Sequence, residues 1–183
     1  MNILYEDNHI IAVNKASSDI VQGDKTGDTP LGEYVKAYIK QKYNKPGEVF
    51  LGVTHRLDRP TSGVLLFART SKALTRLNKM FQDKGVMKKI YWAVVDQLPP
   101  ETKGTLEHWL VRNQKQNKSY ASDDEKTGAK LARLNYKVLK SSDRYHLLEI
   151  ELLTGRHHQI RAQLAKIGCK IKGDMKSKTQ KNI

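Results

Sequence analysis

The sequence predicts an α+β fold: a mixed, mainly antiparallel sheet flanked by helices. Three observations carry this. Strand-like segments come in consecutive groups with few helices between them, unlike the regular alternation of a parallel α/β chain. Leu134, Tyr136 and Val138 alternate with Asn135 and Lys137, and Leu148, Ile150 and Leu152 alternate with Glu149 and Glu151, the pattern of half-buried strands. Leu31, Val35 and Ile39, and later Ile160, Leu164 and Ile167, recur at helical spacing.

Taken in order, Ile10-Ile11-Ala12-Val13 reads as a buried strand. Asp28-Thr29-Pro30 predicts a helix start, with Thr29 as cap and Pro30 in the first turn. Lys45-Pro46-Gly47 is expected to end that helix. Val64-Leu65-Leu66-Phe67-Ala68 is a second short apolar run, again a buried strand. Ser71 is expected to cap a helix whose Leu74, Leu77 and Phe81 line one face and which Gly85 stops. Ile90 to Val95 is rich in strand formers, and Thr105 to Leu110 adds another strand. Residues 112–130 are polar and aperiodic, so a long loop or a hairpin tip is expected. The last helix ends at Gly168.

The 183 residues suit one domain, since domains commonly run about 100–200 residues. No apolar run approaches the roughly 20 residues of a membrane span. The start, Met1-Asn2-Ile3-Leu4-Tyr5-Glu6-Asp7, lacks the basic region and cleavage site of a signal peptide. Cys169 is the one cysteine, which excludes an internal disulfide and a zinc site of several thiolates. The cytoplasm is the expected compartment. Thirty-three Lys+Arg against 19 Asp+Glu give a net charge of +14, which points to an anionic partner, RNA or DNA ahead of a membrane. Arg112, Lys115, Lys118, Lys126, Lys130 and Arg133 belong to one basic stretch, and a second begins at Lys166. Either one suits a phosphate backbone, and either one also suits a solvated face.

Chemistry concentrates in Thr54-His55-Arg56-Leu57-Asp58-Arg59-Pro60-Thr61-Ser62-Gly63. A carboxylate between two arginines stays ionised, as a nucleophile or a charge stabiliser must; a structural ion pair with a turn is the alternative. Pro60 and Gly63 shape the backbone around it. The second cluster, Thr154-Gly155-Arg156-His157-His158-Gln159-Ile160-Arg161, opens the last helix, where backbone N–H groups favour anions. His157 and His158 would point about 100° apart on a helix, a poor shared metal site. Ser62 lacks the flanking glycines of a hydrolase nucleophile, and no phosphate-binding glycine loop is present.

These motifs resemble the RluA-type pseudouridine synthases, which isomerise uridine to pseudouridine in ribosomal or transfer RNA. His55-Arg56-Leu57-Asp58 with Thr61-Ser62-Gly63 matches the catalytic loop of that family without a gap. Ile11-Ala12-Val13-Asn14-Lys15 is similar to its first motif, Lys89-Ile90-Tyr91 to its basic-x-Tyr segment, and Thr154-Gly155-Arg156 with His158-Gln159-Ile160-Arg161 to its last strong motif. The resemblance runs over roughly residues 3–174, in the family's order.

The resemblance implies a pseudouridine synthase-like catalytic domain with Asp58, Tyr91 and Arg161 as catalytic residues. Asp58 would attack the nucleoside or stabilise the sugar, Tyr91 would stack on the flipped uracil and help remove the C5 proton, and Arg161 would pair with Asp58. Arg56 would fill the space the base leaves; His55, Thr61, Arg156 and Gln159 would join it in binding substrate. No metal and no organic cofactor is implied, and a monomer acting on RNA, with no membrane, is expected. A catalytically inactive RNA-binding remnant is the rival reading. Two departures stand out: Ala16-Ser17-Ser18 replaces the family's Pro and Gly, and after Lys172-Gly173-Asp174 the Tyr-Gly and Leu-His-Ala segments are missing. Residues 1–174 are therefore expected to form a catalytic domain lacking its C-terminal strand, and residues 175–183 a basic polar tail.

Overall fold

A computed structural model describes residues 1–23, 27–83 and 85–174. The chain divides into two compact units, residues 1–87 and the chain from Lys88 onward. The expected tail, residues 175–183, lies outside the described residues.

In the first unit, β1 (Asn2–Glu6), β2 (Ile10–Lys15), β3 (Gly52–Val53) and β4 (Gly63–Ala68) form one sheet in the order β1-β2-β4-β3. Every pairing in it is antiparallel. The helices are α1 (Leu31–Lys42) and α2 (Ser71–Gln82). Ile11, Val13, Leu65 and Phe67 pack with Leu31, Val35 and Ile39 of α1. The alternate residues Ile10, Leu66 and Ala68 pack with Ala73, Leu74 and Leu77 of α2. A helix on each face explains why β2 and β4 read as continuous apolar runs rather than alternating ones. Each fully buried side chain of this size contributes ~1.5–3 kcal/mol, so this two-sided layer is a firm base for the loop that leaves β3.

The second unit holds β5 (Ile90–Val95), β6 (Lys103–Asn113), β7 (Lys118–Ser122), β8 (Lys130–Ser141) and β9 (His146–Leu152) in one sheet of order β5-β9-β8-β6-β7. These pairings too are all antiparallel. α3 (Gln159–Lys166) puts Leu164 against Ala93, Leu134, Tyr136, Leu148 and Ile150. On β5 the alternate residues Ile90, Trp92 and Val94 are exposed, Trp92 by 70%. One packed face and one open face give the alternation that made these strands legible. After α3 the chain runs back along the end of β5: Lys172 N donates to Val94 O (2.8 Å) and Asp96 N to Lys170 O (3.1 Å).

Several expectations are corrected. Thr29 does not cap α1: Pro30 is the residue before the helix and makes no side-chain cap bond. It holds φ at −63°, and α1 ends at Lys42, short of Pro46. Thr70, not Ser71, caps α2, its hydroxyl accepting from Ala73 N at 3.1 Å. Of the two readings for residues 112–130, the hairpin tip is present at residues 114–117 and the one long loop is not. These residues contain β7, paired with β6 from Trp109↔Ser122 to Asn113↔Lys118. β7 is an edge strand with mostly polar side chains, so no apolar period marks it. β1 and the two-residue β3 were likewise unmarked.

Candidate active site

The loop of the first unit that carries Asp58, residues 54–62, spans from β3 to β4 and is anchored at both ends. Thr54 Oγ1 donates to Leu66 O at 2.5 Å, and Leu66 N donates to His55 Nε2 at 3.1 Å. As an acceptor, that nitrogen carries no proton, which puts the ring proton on Nδ1. The His55 ring also lies 4.8 Å from Phe81, centroid to centroid. Thr61 N closes a turn onto Asp58 O at 2.9 Å. Arg56, Asp58 and Arg59 are exposed and Thr61 is half-buried. Arg56 donates to Gln22 Oε1 at 3.1 Å, and Arg59 pairs with Asp28 at 2.5 Å.

The middle of the loop is held by a residue the motif reading left unassigned. Lys15 is fully buried at the end of β2. Its Nζ donates to Ala16 O (3.0 Å), Arg59 O (3.0 Å) and Thr61 O (2.7 Å). Three carbonyls satisfy all three ammonium protons, the condition for keeping a cation inside. Burial pulls Lys15 below the usual lysine value, the Asp19 and Asp58 carboxylates push it back up, and Arg59 pulls it down. Ser18 N donates to Arg59 O at 3.0 Å and Ser17 Oγ to Pro60 O at 3.1 Å, so the Ala16-Ser17-Ser18 segment also grips the loop.

In the second unit the remaining residues gather around the entry to α3, apart from Tyr91. Tyr91 lies on β5 opposite Ile150, half-buried against the core of this unit. Gln159 is buried, and its Oε1 accepts from Thr154 Oγ1 (2.8 Å) and Arg156 N (2.9 Å) while Nε2 donates to Arg133 O (3.0 Å). The Arg156 Nε donates to Leu131 O at 3.1 Å. Arg161 Nε donates to Asp174 Oδ2 at 2.8 Å, and an NH2–Oδ1 bond makes the pair bidentate. Asp174 had no assigned role in the sequence.

One expectation about the histidines is overturned. His157 and His158 precede α3, and His158 takes a left-handed φ of +50°. Their rings therefore lie together, 3.7 Å apart between centroids, instead of diverging as helical neighbours.

The fold is that of a pseudouridylate synthase domain. The solved structure of human RNA pseudouridylate synthase domain containing 4 superposes with a TM-score of 0.83 over 98% of this chain and 70% of that one, at 24% identity. The chain belongs to the RNA pseudouridylate synthase family, which matches residues 9–166. Among its relatives, the ribosomal large subunit pseudouridine synthase C of Rickettsia prowazekii is 35% identical over 95% of this chain and 55% of its own length. The protein of that name from Buchnera aphidicola is 35% identical over 91% of this chain and 51% of its own. The chain thus spans about half the length of these curated relatives. Among the described residues, no helix is long and apolar enough to cross a membrane.

Proposed function

We propose that this chain isomerises uridine to pseudouridine in RNA, with ribosomal large-subunit RNA as its substrate class, acting as a monomer without a cofactor. The observation that carries the reading is the loop of residues 54–62, which presents Asp58 at the surface on a backbone clasped by the buried Lys15. Family membership supports the reaction, and the names of the relatives support the substrate class.

A uridine in a helix hides its glycosidic bond, so it must leave the stack at a cost of a few kcal/mol. Arg56 takes the space it vacates, and Tyr91 offers the flipped uracil a stacking face. The C1′–N1 bond breaks, and the Asp58 carboxylate stabilises or traps the positive charge that develops on the ribose, as in glycoside chemistry. Uracil turns so that C5 bonds to C1′, and the C5 proton leaves with help from Tyr91. N1 keeps the electron pair of the broken bond and takes up a proton from solvent, so atoms and charge balance with no net oxidation and no group donor. Arg161, paired with Asp174 in its own unit, is the cation assigned to the reaction. Thr61 and Arg156 contact the RNA, while His55 and Gln159 act through the loops they hold.

The test is tritium release from C5-labelled uridine in large-subunit ribosomal RNA transcripts, for the wild type and for Asp58→Asn. Release by the wild type and a loss of about a thousandfold or more in the variant, with RNA affinity kept by the phosphate contacts, is the expected result. A wild type that binds RNA without release would instead be an RNA-binding remnant. Turnover by the variant near the wild-type rate would remove Asp58 from the chemistry.

A further inference from the structure

His157 falls between the matched residues of the last motif, and both its ring nitrogens face the β6–β7 hairpin. Nδ1 meets Ser119 Oγ at 2.9 Å and Nε2 meets Asn117 Oδ1 at 3.1 Å. An amide oxygen only accepts, so Nε2 donates to Asn117, while Nδ1 shares a hydrogen bond with the Ser119 hydroxyl. One imidazole therefore holds a turn residue and a strand residue at once. Asn117, at φ +45°, closes the four-residue turn between Asn113 and Lys118. Ser119 is buried, and its partner across the hairpin is Arg112.

We infer that His157 is a positioning residue that locks the β6–β7 hairpin so that Arg112 and Arg156 act together as a clamp on an RNA phosphate; this rests on the RNA-substrate reading above. Arg112 shares the face of Ser119, the residue His157 holds, because cross-strand partners point to the same side of the sheet. Arg156 is the chain neighbour of His157, and its Nε bond to Leu131 O fixes the stem and directs the terminal nitrogens as a unit. Guanidinium groups suit this work, since their planar fork matches phosphate oxygens in pairs. An edge hairpin without a tether would have to be ordered at the moment of binding, which subtracts from affinity. The histidine tether meets that ordering cost in advance. Lys118, which caps the Tyr120 ring at 5.1 Å, adds positive charge on the other face of the hairpin.

The experiment measures affinity for large-subunit ribosomal RNA transcripts against salt concentration for His157→Phe, His157→Gln, Ser119→Ala, Arg112→Met and the His157→Phe/Arg112→Met pair. His157→Phe keeps a ring beside His158 and removes the two hydrogen bonds to the hairpin. It should weaken binding about tenfold and flatten the salt dependence by about one phosphate contact, as Arg112→Met does. The double variant should be no worse than Arg112→Met alone, because residues acting as a unit do not add. Glutamine, which can donate and accept at the same two places, should restore most of the affinity and the slope. Ser119→Ala, a small change that leaves the ring in place, should give a partial loss and guards against misfolding of the larger variants. Unchanged affinity and slope in both His157→Phe and Ser119→Ala, or additive losses in the double variant, overturn the inference. Failure of the wild type to bind RNA overturns the substrate reading as well, so the two failures are distinct.

Discussion

Lys15 Nζ lies 2.7 Å from the carbonyl oxygen of Thr61, so a buried cation on β2 sets the backbone position of the loop that carries Asp58. The same ammonium reaches Arg59 O, which places its two loop contacts on either side of Pro60. Arg56, Asp58 and Arg59 are exposed on this loop while its backbone is fixed from below, an arrangement that positions the Asp58 side chain through its main chain.

Lys15→Met should therefore strike stability and turnover together. The methionine fills the volume but leaves three inward carbonyls without their donor, for a loss of about 3 kcal/mol. Lys15→Arg should not rescue it, because a planar fork does not fit a site built around a compact ammonium. Urea unfolding with tritium release on the same samples checks both. A methionine variant of wild-type stability and rate would show the clasp to be dispensable.

Lys15 also shows where the sequence was legible and where it was not. Strands β2, β4, β5, β8 and β9 announced themselves by apolar runs or by alternation, because burial on two faces or on one leaves a different trace. A lysine that follows such a run reads as the solvated end of a strand. The available signal was the period of two: Ile11, Val13 and Lys15 share one face, and all three are fully buried. β6 was legible in part, as the strand expected over Thr105 to Leu110, but β7 left no trace of that kind, since it is short and mostly polar and the turn before it is Gln114-Lys115-Gln116-Asn117. Motif spacing picked out the loop of Asp58 and the entry to α3. It did not reveal that the Gln159 amide is engaged by Thr154, Arg156 and Arg133, because hydrogen-bond partners across a sheet are not a sequence pattern.

Gly52 begins β3, directly ahead of the loop that carries Asp58, and a Cβ there would lie 2.8 and 2.9 Å from the two methyl carbons of Leu74. Gly52→Ala should push Leu74 out of the α2 contact and cost about 1–3 kcal/mol, as overpacking of a core does. Leu74→Ala in the same chain should recover part of the loss by making room. Thermal melts of the single and double variants decide the matter; an alanine variant melting with the wild type would mean the helix simply steps aside.

His108 gives the fold a pH dependence of defined sign. It is buried, and Gln163 Nε2 contacts its Nδ1 at 3.1 Å. Burial lowers it below the ordinary value of 6.5; the Asp123 carboxylate pushes it up and Lys166 pulls it down. The unfolded chain thus takes up this proton at a higher pH than the folded one. The contribution is complete above pH 6.5 and is lost as pH falls from there toward the folded value. Urea midpoints should decline below about pH 6.5, before carboxylate protonation begins near pH 4. In His108→Asn the decline in that window should flatten. An unchanged slope would assign the proton uptake to another histidine.

The last prediction concerns Arg161 and Asp174. Arg161 is three-quarters enclosed and Asp174 more so, with side-chain exposures of 22% and 7%. Their two parallel hydrogen bonds tie α3 to the segment that follows it. Losing either partner removes both hydrogen bonds of a largely enclosed ion pair, and the residual exposure softens the penalty. Asp174→Asn should cost about 2 kcal/mol, below the range for a fully buried pair. Arg161→Met should cost a similar amount, and the double variant should lose less than the sum, since both changes act on the same pair. If Arg161 is the reaction's cation, the two single variants separate in turnover. Arg161→Met removes the charge itself, whereas Asp174→Asn keeps the charge and loosens its aim, so the methionine variant should be the slower of the two. Equal rates at equal stability would confine Arg161 to holding the end of α3.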